Sequence, residues 1–129
     1  MIKKDTEKRL YCLVPYNLSD IQKGIQCGHC IAEYSNNIDL SCEERNLYVD
    51  WARNWKTIII LNGGTTNNNK DDKWYGSLQK HRDKLKELGV VFSEFHEPDL
   101  NNALTAVSFI VDMEKDWMIL KYLENLELA

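Results

Sequence analysis

The segment Cys27-Gly28-His29-Cys30 has the residue types and the spacing of a redox-active dithiol. The reactive thiol of such a pair lies at a helix N-terminus, where the helix dipole favours the thiolate. Here Ser19-Asp20-Ile21-Gln22 has the pattern of a capping box, so the helix is expected to begin well before the cysteines. Cys27 would then lie near the end of the second turn, beyond the reach of the dipole. We therefore predict that Cys27 and Cys30 are small buried hydrophobic residues and not a redox pair.

The same cysteines and His29 also suggest a zinc site, which needs four ligands. The remaining cysteines and histidines are distant in the sequence, and neighbouring residues of one helix point in directions about 100° apart. The sequence therefore predicts neither a metal centre nor a bound cofactor.

Length and composition favour one domain spanning residues 1–129. The net charge of −4 argues against a broad nucleic-acid surface but leaves room for a small, locally basic site. No apolar run approaches the ~18–20 residues that span a bilayer, and the first residues lack the apolar segment of a signal peptide. We expect no membrane association, a cytoplasmic location and reduced cysteines without a disulfide framework.

Hydrophobic periodicity and helix caps predict the element order β-α-α-β-α-β-β-α. Strands are expected at 9–16, 55–61, 90–96 and 104–112, and helices at 20–36, from Ser41, from Ser77 with Gly89 at its end, and at 114–128. Strands that alternate with helices indicate an α/β fold with a mixed sheet, and the short link between the last two strands favours an antiparallel pair.

Gly24, Gly28 and Ala32 repeat every four positions and would form a bare stripe along the first helix. Each mid-helix glycine costs roughly 0.5–1 kcal/mol relative to alanine, which close approach to a sheet or a ligand would explain. An adjacent polar face is formed by Gln22, Gln26, His29 and Glu33. We predict that these faces line a cleft; the alternative is a solvated helix surface.

Two strand-end segments are the expected far wall of that cleft. Asn62-Gly63-Gly64-Thr65 follows the second strand, at the end where parallel sheets bind ligands, and its backbone NH groups could point at an anion. The spacing of a P-loop is absent. The turn Glu97–Asn102, with Asp99 and Asn101, offers carboxylate and amide groups for a ribose or a base edge. A surface loop and a plain turn are the simpler interpretations of the two segments.

The helix segment IQKGIQCGHCIAEY resembles the first-helix signature of the type 2 peptidyl-tRNA hydrolases. Gln26-Cys27-Gly28-His29 matches that family's Gln-Cys-Ser-His core, and the order of elements fits over about residues 8–112. The resemblance implies a three-layer α/β fold with a four-stranded mixed sheet, followed here by a C-terminal helix. It also implies hydrolysis of the ester in peptidyl- or aminoacyl-tRNA. The wording of the motifs further resembles small phage and bacterial proteins.

The family is associated with a helix lysine, a strand aspartate and nearby threonines. Gln22 stands at the lysine's place, with Lys23 beside it, and the family's Gly-Arg-Thr segment is absent. The resemblance implies that Glu97, or Asp99 in a shifted turn, is the base. The other implied catalytic residues are Thr105 and His29. The residues expected to bind ligand are Lys23, Gln26, Gly24, Gly28, Asn62, Gly63, Gly64, Thr65 and Asn101.

The sequence leaves the enzyme assignment open. One alternative is a binding module on the same fold that holds a nucleotide-type ligand without converting it, for example a phage protein that sequesters an immune cyclic-nucleotide or ADP-ribose signal. Another is a protein-interaction role through Trp74, Tyr75 or the C-terminal helix. A homodimer or higher oligomer is expected, with the apolar stripe of that helix as its seam.

Overall fold

Four strands form one mixed sheet in the order β2–β1–β4–β3 in the computed structural model, which describes residues 6–37, 41–71 and 73–129. The strands are β1 (Lys8–Pro15), β2 (Ile58–Gly64), β3 (Phe92–Glu97) and β4 (Ala103–Asp112). β1 and β2 are parallel, and β4 is antiparallel to both β1 and β3. The last residues of β1, β2 and β3 therefore meet at one end of the sheet, which we call the carboxyl end.

Two helices begin where their side-chain caps predict. Helix α1 (Asp20–Asn36) is capped by Ser19, whose Oγ accepts a hydrogen bond from the Gln22 backbone NH at 3.2 Å. Helix α2 (Cys42–Asp50) has the complete capping box: Ser41 and Glu44 each accept a hydrogen bond from the other's backbone NH. These reciprocal bonds satisfy NH groups that a helix leaves without partners in its first turn.

Other boundaries differ from the sequence prediction. β2 ends at Gly64 instead of residue 61, so Asn62, Gly63 and Gly64 lie within the strand and do not follow it. β2 begins at Ile58 instead of residue 55, because α2 continues into a π-helical turn, Trp51–Trp55, that ends at Lys56 in a left-handed conformation (φ 61°). Helix α3 (Ser77–Glu87) is capped by Gly76, and the Ser77 hydroxyl instead donates to the Gly63 carbonyl at 3.0 Å. Helix α4 (Trp117–Leu123) is shorter than the predicted 114–128.

Helices cover both faces of the sheet because β1 alternates two sets of apolar side chains. Leu10, Cys12 and Val14 belong to a buried cluster with α1 and the π-helical turn, whereas Tyr11 and Leu13 belong to a second cluster with α3 and α4. The first cluster also buries Cys27 and Cys30, as the sequence predicts. None of the described helices has both the length and the apolar character that crossing a bilayer requires.

The C-terminal segment completes the edge of the sheet. Leu120, Leu123 and Leu126, which belong to the stripe predicted to be a dimer seam, pack against the α3-side cluster. These three leucines are therefore used within the chain, whereas Trp117, the remaining residue of the predicted stripe, is 66% exposed, and the homodimer stays a prediction. Beyond α4 the chain runs antiparallel to β2, with a bridge between Leu61 and Leu128. The tail therefore covers the outer edge of β2, which would otherwise present unpaired backbone groups.

Tyr34 provides a test of the α1-side core. Its side chain is 1% exposed, and its hydroxyl has no hydrogen-bond partner among the described residues. Burial, followed by repulsion from the Glu44 carboxylate, raises the pKa of Tyr34 to about 12. In the unfolded chain Tyr34 deprotonates near pH 10. Below pH 10 the ionisation of Tyr34 therefore costs no unfolding free energy, and as the pH rises from 10 towards 12 the free energy of unfolding falls. Relative to Tyr34→Phe, the native protein should lose roughly 1.4 kcal/mol of unfolding free energy by pH 11.

Urea unfolding between pH 8 and pH 11 measures this difference. At neutral pH, Tyr34→Phe should be at least as stable as the native protein, because it removes a buried polar group that has no partner. Tyr16→Phe, at an exposed tyrosine, is the matched control and should keep the native pH dependence. Equal pH dependence of Tyr34→Phe and the native protein would contradict the prediction.

Candidate functional site

The carboxyl end of the sheet gathers the segments that the sequence analysis singles out. Helix α1 begins a few residues after β1 ends, residues 62–66 include the end of β2 and the two residues after it, and the turn 97–102 joins β3 to β4. Thr66 connects the second of these segments to the start of β4, because its hydroxyl donates to the Leu104 carbonyl at 2.7 Å.

A hydrogen-bond network joins three of the proposed site residues across three elements. The Thr105 hydroxyl on β4 donates to Oε1 of Gln26 on α1 at 2.6 Å. The Gln26 amide nitrogen donates to Oε1 of Glu97, the last residue of β3, at 3.4 Å. Gln26 and Thr105 are each 1% exposed, whereas Glu97 is partly exposed. We call these three residues the Glu97 network. In it, the buried Gln26 amide donates one hydrogen bond to the Glu97 carboxylate, and Glu97 remains partly exposed to solvent.

A β-bulge aims Thr105 at α1. The β3–β4 pairing steps from Phe95 opposite Ala106 to His96 opposite Leu104, so Thr105 is the extra residue on β4. Thr105 contacts Gln26 and Ala106 packs in the α1-side cluster, so two consecutive side chains face the same helix. Bulges re-aim side chains in this way, often beside functional sites. No feature of the sequence alone indicates the bulge at Thr105.

The two histidines at this end lie outside the Glu97 network. His29 is exposed on α1, and its ring stacks on Phe95 with the centroids 4.8 Å apart. His96 contacts the Glu94 carboxylate through Nε2 at 2.7 Å and the Asn102 carbonyl through Nδ1 at 3.1 Å. His29 is therefore available to an external molecule that approaches α1.

The glycine stripe of α1 faces outward, which corrects the prediction of a close approach. Gly24, Gly28 and Ala32 are exposed, and a Cβ atom added at either glycine would meet no atom within 4 Å. The buried face of α1 is centred on Gln26, Cys27, Cys30 and Tyr34. Because Gly28 lies about 100° around the helix from Cys27, the stripe turns away from the sheet. The solvated-surface interpretation of the stripe is the correct one.

The backbone NH groups of the glycine loop are used within the chain. The Gly64 NH donates to Asn62 Oδ1 and the Thr65 NH donates to Ser77 Oγ, both at 2.8 Å. The predicted anion cradle is therefore wrong for these two groups. A Cβ at Gly63 would lie 2.7 Å from Leu78 Cδ1, so this glycine allows the loop to pack on α3.

Gln79 organises the rest of this loop and was not identified from the sequence. Its side chain is fully buried; its amide nitrogen donates to Thr66 Oγ1 at 2.8 Å and to Asn68 Oδ1 at 2.9 Å. Its oxygen accepts from the Asn67 backbone NH at 3.0 Å. The Asn-rich segment therefore has a specific attachment to α3, which composition alone did not indicate.

The other proposed contact residues are dispersed. Lys23 is largely covered and lies 3.9 Å from the Asp20 carboxylate. Asp99 and Asn101 are exposed on the turn, outside the Glu97 network. The Tyr75 hydroxyl donates to Asp83 at 2.8 Å, and Trp74 is 68% exposed.

Two clefts lie elsewhere on the described surface. One of about 250 Å³ is lined by Asn62, Gly63 and Gly64 together with α3 and residues 125–127. The other, of about 750 Å³, lies at the opposite end of the sheet. Neither cleft is lined by Gly24, Gly28 or His29. Neither is therefore the enclosed pocket that was expected between α1 and the loops.

The pKa values of the buried thiols shift in opposite directions: a hydrogen bond with Cys12 lowers the pKa of Cys27, whereas those of Cys30 and Cys12 are raised. Burial raises the pKa of Cys30, whose thiol donates to the Ser93 carbonyl at 3.4 Å. A hydrogen bond with Cys27 and burial together raise the pKa of Cys12 well above its usual value. Within residues 6–37, 41–71 and 73–129, no group of three or more His, Cys, Asp or Glu side chains is arranged to hold a metal ion.

No protein-family model matches the sequence, and no curated protein is similar enough to match it. The Glu97 network and its surroundings are therefore the features that bear on function.

Alanine substitution is expected to have opposite effects on stability at the outward-facing glycines and at the packed Gly76. Gly24→Ala and Gly28→Ala should each raise the free energy of unfolding by roughly 0.5–1 kcal/mol, because alanine favours the helix and its methyl group meets only open space. Gly76→Ala should lower it by about 1 kcal/mol or more, because the added Cβ would lie 2.0 Å from Gln79 Oε1. Urea unfolding measures all three, and a loss of stability in Gly28→Ala would show that the stripe is packed.

Proposed function

We propose that this chain is a peptidyl-tRNA hydrolase-like protein that cleaves the ester of peptidyl- or aminoacyl-tRNA, with Glu97 as the general base. The observation that carries the proposal is the Glu97 network. The resemblance of the sequence to that family singles out Glu97, Thr105 and the Gln26 motif separately, and their side chains meet although they come from β3, β4 and α1.

The network gives Glu97 a defined orientation. Thr105 donates to the Gln26 oxygen, so the amide nitrogen of Gln26 must face the other way, towards Glu97. In the proposed reaction the Glu97 carboxylate takes a proton from a water molecule whose oxygen attacks the ester carbonyl carbon. Breaking the ester bond then releases the ribose oxygen, which receives from Glu97 the proton taken from the water, so the carboxylate is regenerated. His29, exposed on the neighbouring face of α1, is the proposed donor to the developing oxyanion.

The shape of the surface favours the end of a polymer over a small free ligand. Small ligands are usually held in concave pockets of roughly 300–1,000 Å³, and neither cleft includes His29. The outward face of α1 carries Gly24 and Gly28 beside exposed Ile21 and Ile25, so an extended acceptor end can lie across it. The net charge of −4 limits the contact to a short segment of tRNA.

The second candidate is the non-catalytic nucleotide-binding module. It is favoured by Gln22 at the family's lysine position and by the missing Gly-Arg-Thr segment. The cleft of about 250 Å³ beside Asn62, Gly63 and Gly64 gives this candidate a different location from the Glu97 network. Binding there would not depend on Glu97.

Hydrolysis of an N-acetylated aminoacyl-tRNA is the direct test. Glu97→Gln should reduce the rate by about 10²-fold or more, because it removes the proton acceptor while it keeps the size of the side chain. Glu94→Gln makes the same change on the same strand, where Glu94 instead contacts His96, and should retain most of the activity. Asp99→Asn tests the shifted-turn alternative and should also remain active.

Three results would contradict the proposal: no hydrolysis by the native protein, equal activity of Glu97→Gln, or loss of activity confined to Asp99→Asn. Thermal stabilisation by a cyclic dinucleotide or an ADP-ribose derivative, without conversion and unchanged in Glu97→Gln, would support the binding module instead.

A further inference from the structure

The larger cleft lies at the end of the sheet opposite the Glu97 network. It is formed by the start of β1, the end of β4, helix α2 and the segments 88–91 and 115–119, and its volume is about 750 Å³. We call it the Lys8 groove, after the cation that is buried in it.

The floor of the Lys8 groove is a compact ionic cluster. Lys8 is 8% exposed, and its Nζ lies 2.9 Å from Asp50 Oδ2 and 3.9 Å from Asp112 Oδ2. The Thr6 hydroxyl donates to Asp112 Oδ2 at 2.7 Å. A hydrogen bond from Asn54, assisted by Lys8, holds the pKa of Asp50 below its usual value. Burial would raise the pKa of Asp112, but hydrogen bonds from Thr6 and from backbone NH groups outweigh it, so this pKa is also lowered. Both carboxylates therefore stay charged around one ammonium group, and the floor has an excess of negative charge.

The walls are apolar and the charged residues are mostly acidic. The apolar lining residues are Leu47, Leu88, Val90, Val91, Ile110 and Ile119. The charged lining residues are Glu43, Glu44, Asp50, Asp112 and Asp116, against Lys8 and Lys115. The groove thus has a formal charge of −3, compared with −4 for the whole chain. Most of the protein's net negative charge is concentrated at one apolar-walled cleft.

We propose that the Lys8 groove binds a basic amphipathic peptide segment of a partner protein. Apolar side chains of the segment cover the walls, and lysine or arginine side chains meet the acidic rim. A small polycation would meet the acidic rim but leave the walls in water, and a neutral apolar ligand would cover the walls but desolvate the exposed carboxylate of Glu43.

Fluorescence anisotropy with a short labelled peptide of alternating lysine and leucine tests the proposal on the full chain. The peptide should bind the native protein, and an alternating glutamate and leucine peptide should not. Glu43→Lys, at an exposed rim position, should weaken binding about three- to tenfold at about 50 mM salt. Glu124→Lys makes the same charge change outside the groove and should alter the affinity less than about twofold.

Methyl NMR spectra of the complex locate the peptide. Shifts concentrated at Val90, Val91, Ile110 and Ile119 support the groove, and shifts confined to Ile21 and Ile25 of α1 overturn it. Full displacement of the peptide by equimolar spermidine would show a non-specific polycation site and would overturn the proposal. A chain that begins at Thr6 and binds the peptide more than about tenfold tighter would identify the basic residues 1–5 as the occupant, which also overturns it.

Discussion

The fold depends on a central strand that is buried on both faces. Residues 10–14 of β1 are almost completely inaccessible to solvent, and successive side chains enter different clusters. β1 is also paired on both edges, in parallel with β2 and antiparallel with β4. Because β3 pairs only with β4, its direction is set through β1 as well. The position of every loop at the carboxyl end therefore follows from the burial of this one strand.

Local chemistry in the sequence was sufficient to predict the elements and their order. The Ser19 cap and the Ser41 capping box placed the starts of α1 and α2 correctly, because those signals act within one helical turn. The apolar strands and the antiparallel final pair were also predicted correctly. The errors had two causes: a local π-helical turn delays the start of β2, and long-range packing takes leucines of the C-terminal segment into the core.

The sequence predicted only part of the candidate site, because its geometry depends on contacts between distant residues. Spacing shows which residues share a helix face but not which face the sheet covers, so the glycine stripe was placed against the sheet when it faces solvent. The contact between Gln26 and Thr105 joins residues 79 positions apart and depends on a bulge in β4, which has no local signature. The Gly63–Gly64 pair was predicted to bind an anion. The structure instead assigns it to packing against α3, since Ser77 and Asn62 already accept the loop NH groups.

The pairing of the C-terminal tail with β2 has a consequence for how the protein behaves when it is stressed. Two backbone hydrogen bonds, from Asn62 to Glu127 and from Ala129 to Ile60, hold a segment that is largely exposed. Such a segment opens at a lower free energy than the sheet beneath it. Each opening exposes the β2 edge at residues 60–62, next to Ile58 and Ile59, whose β-branched side chains favour strand pairing. Opening of this short segment would therefore make part of the β2 edge available for strand pairing while the core remains folded.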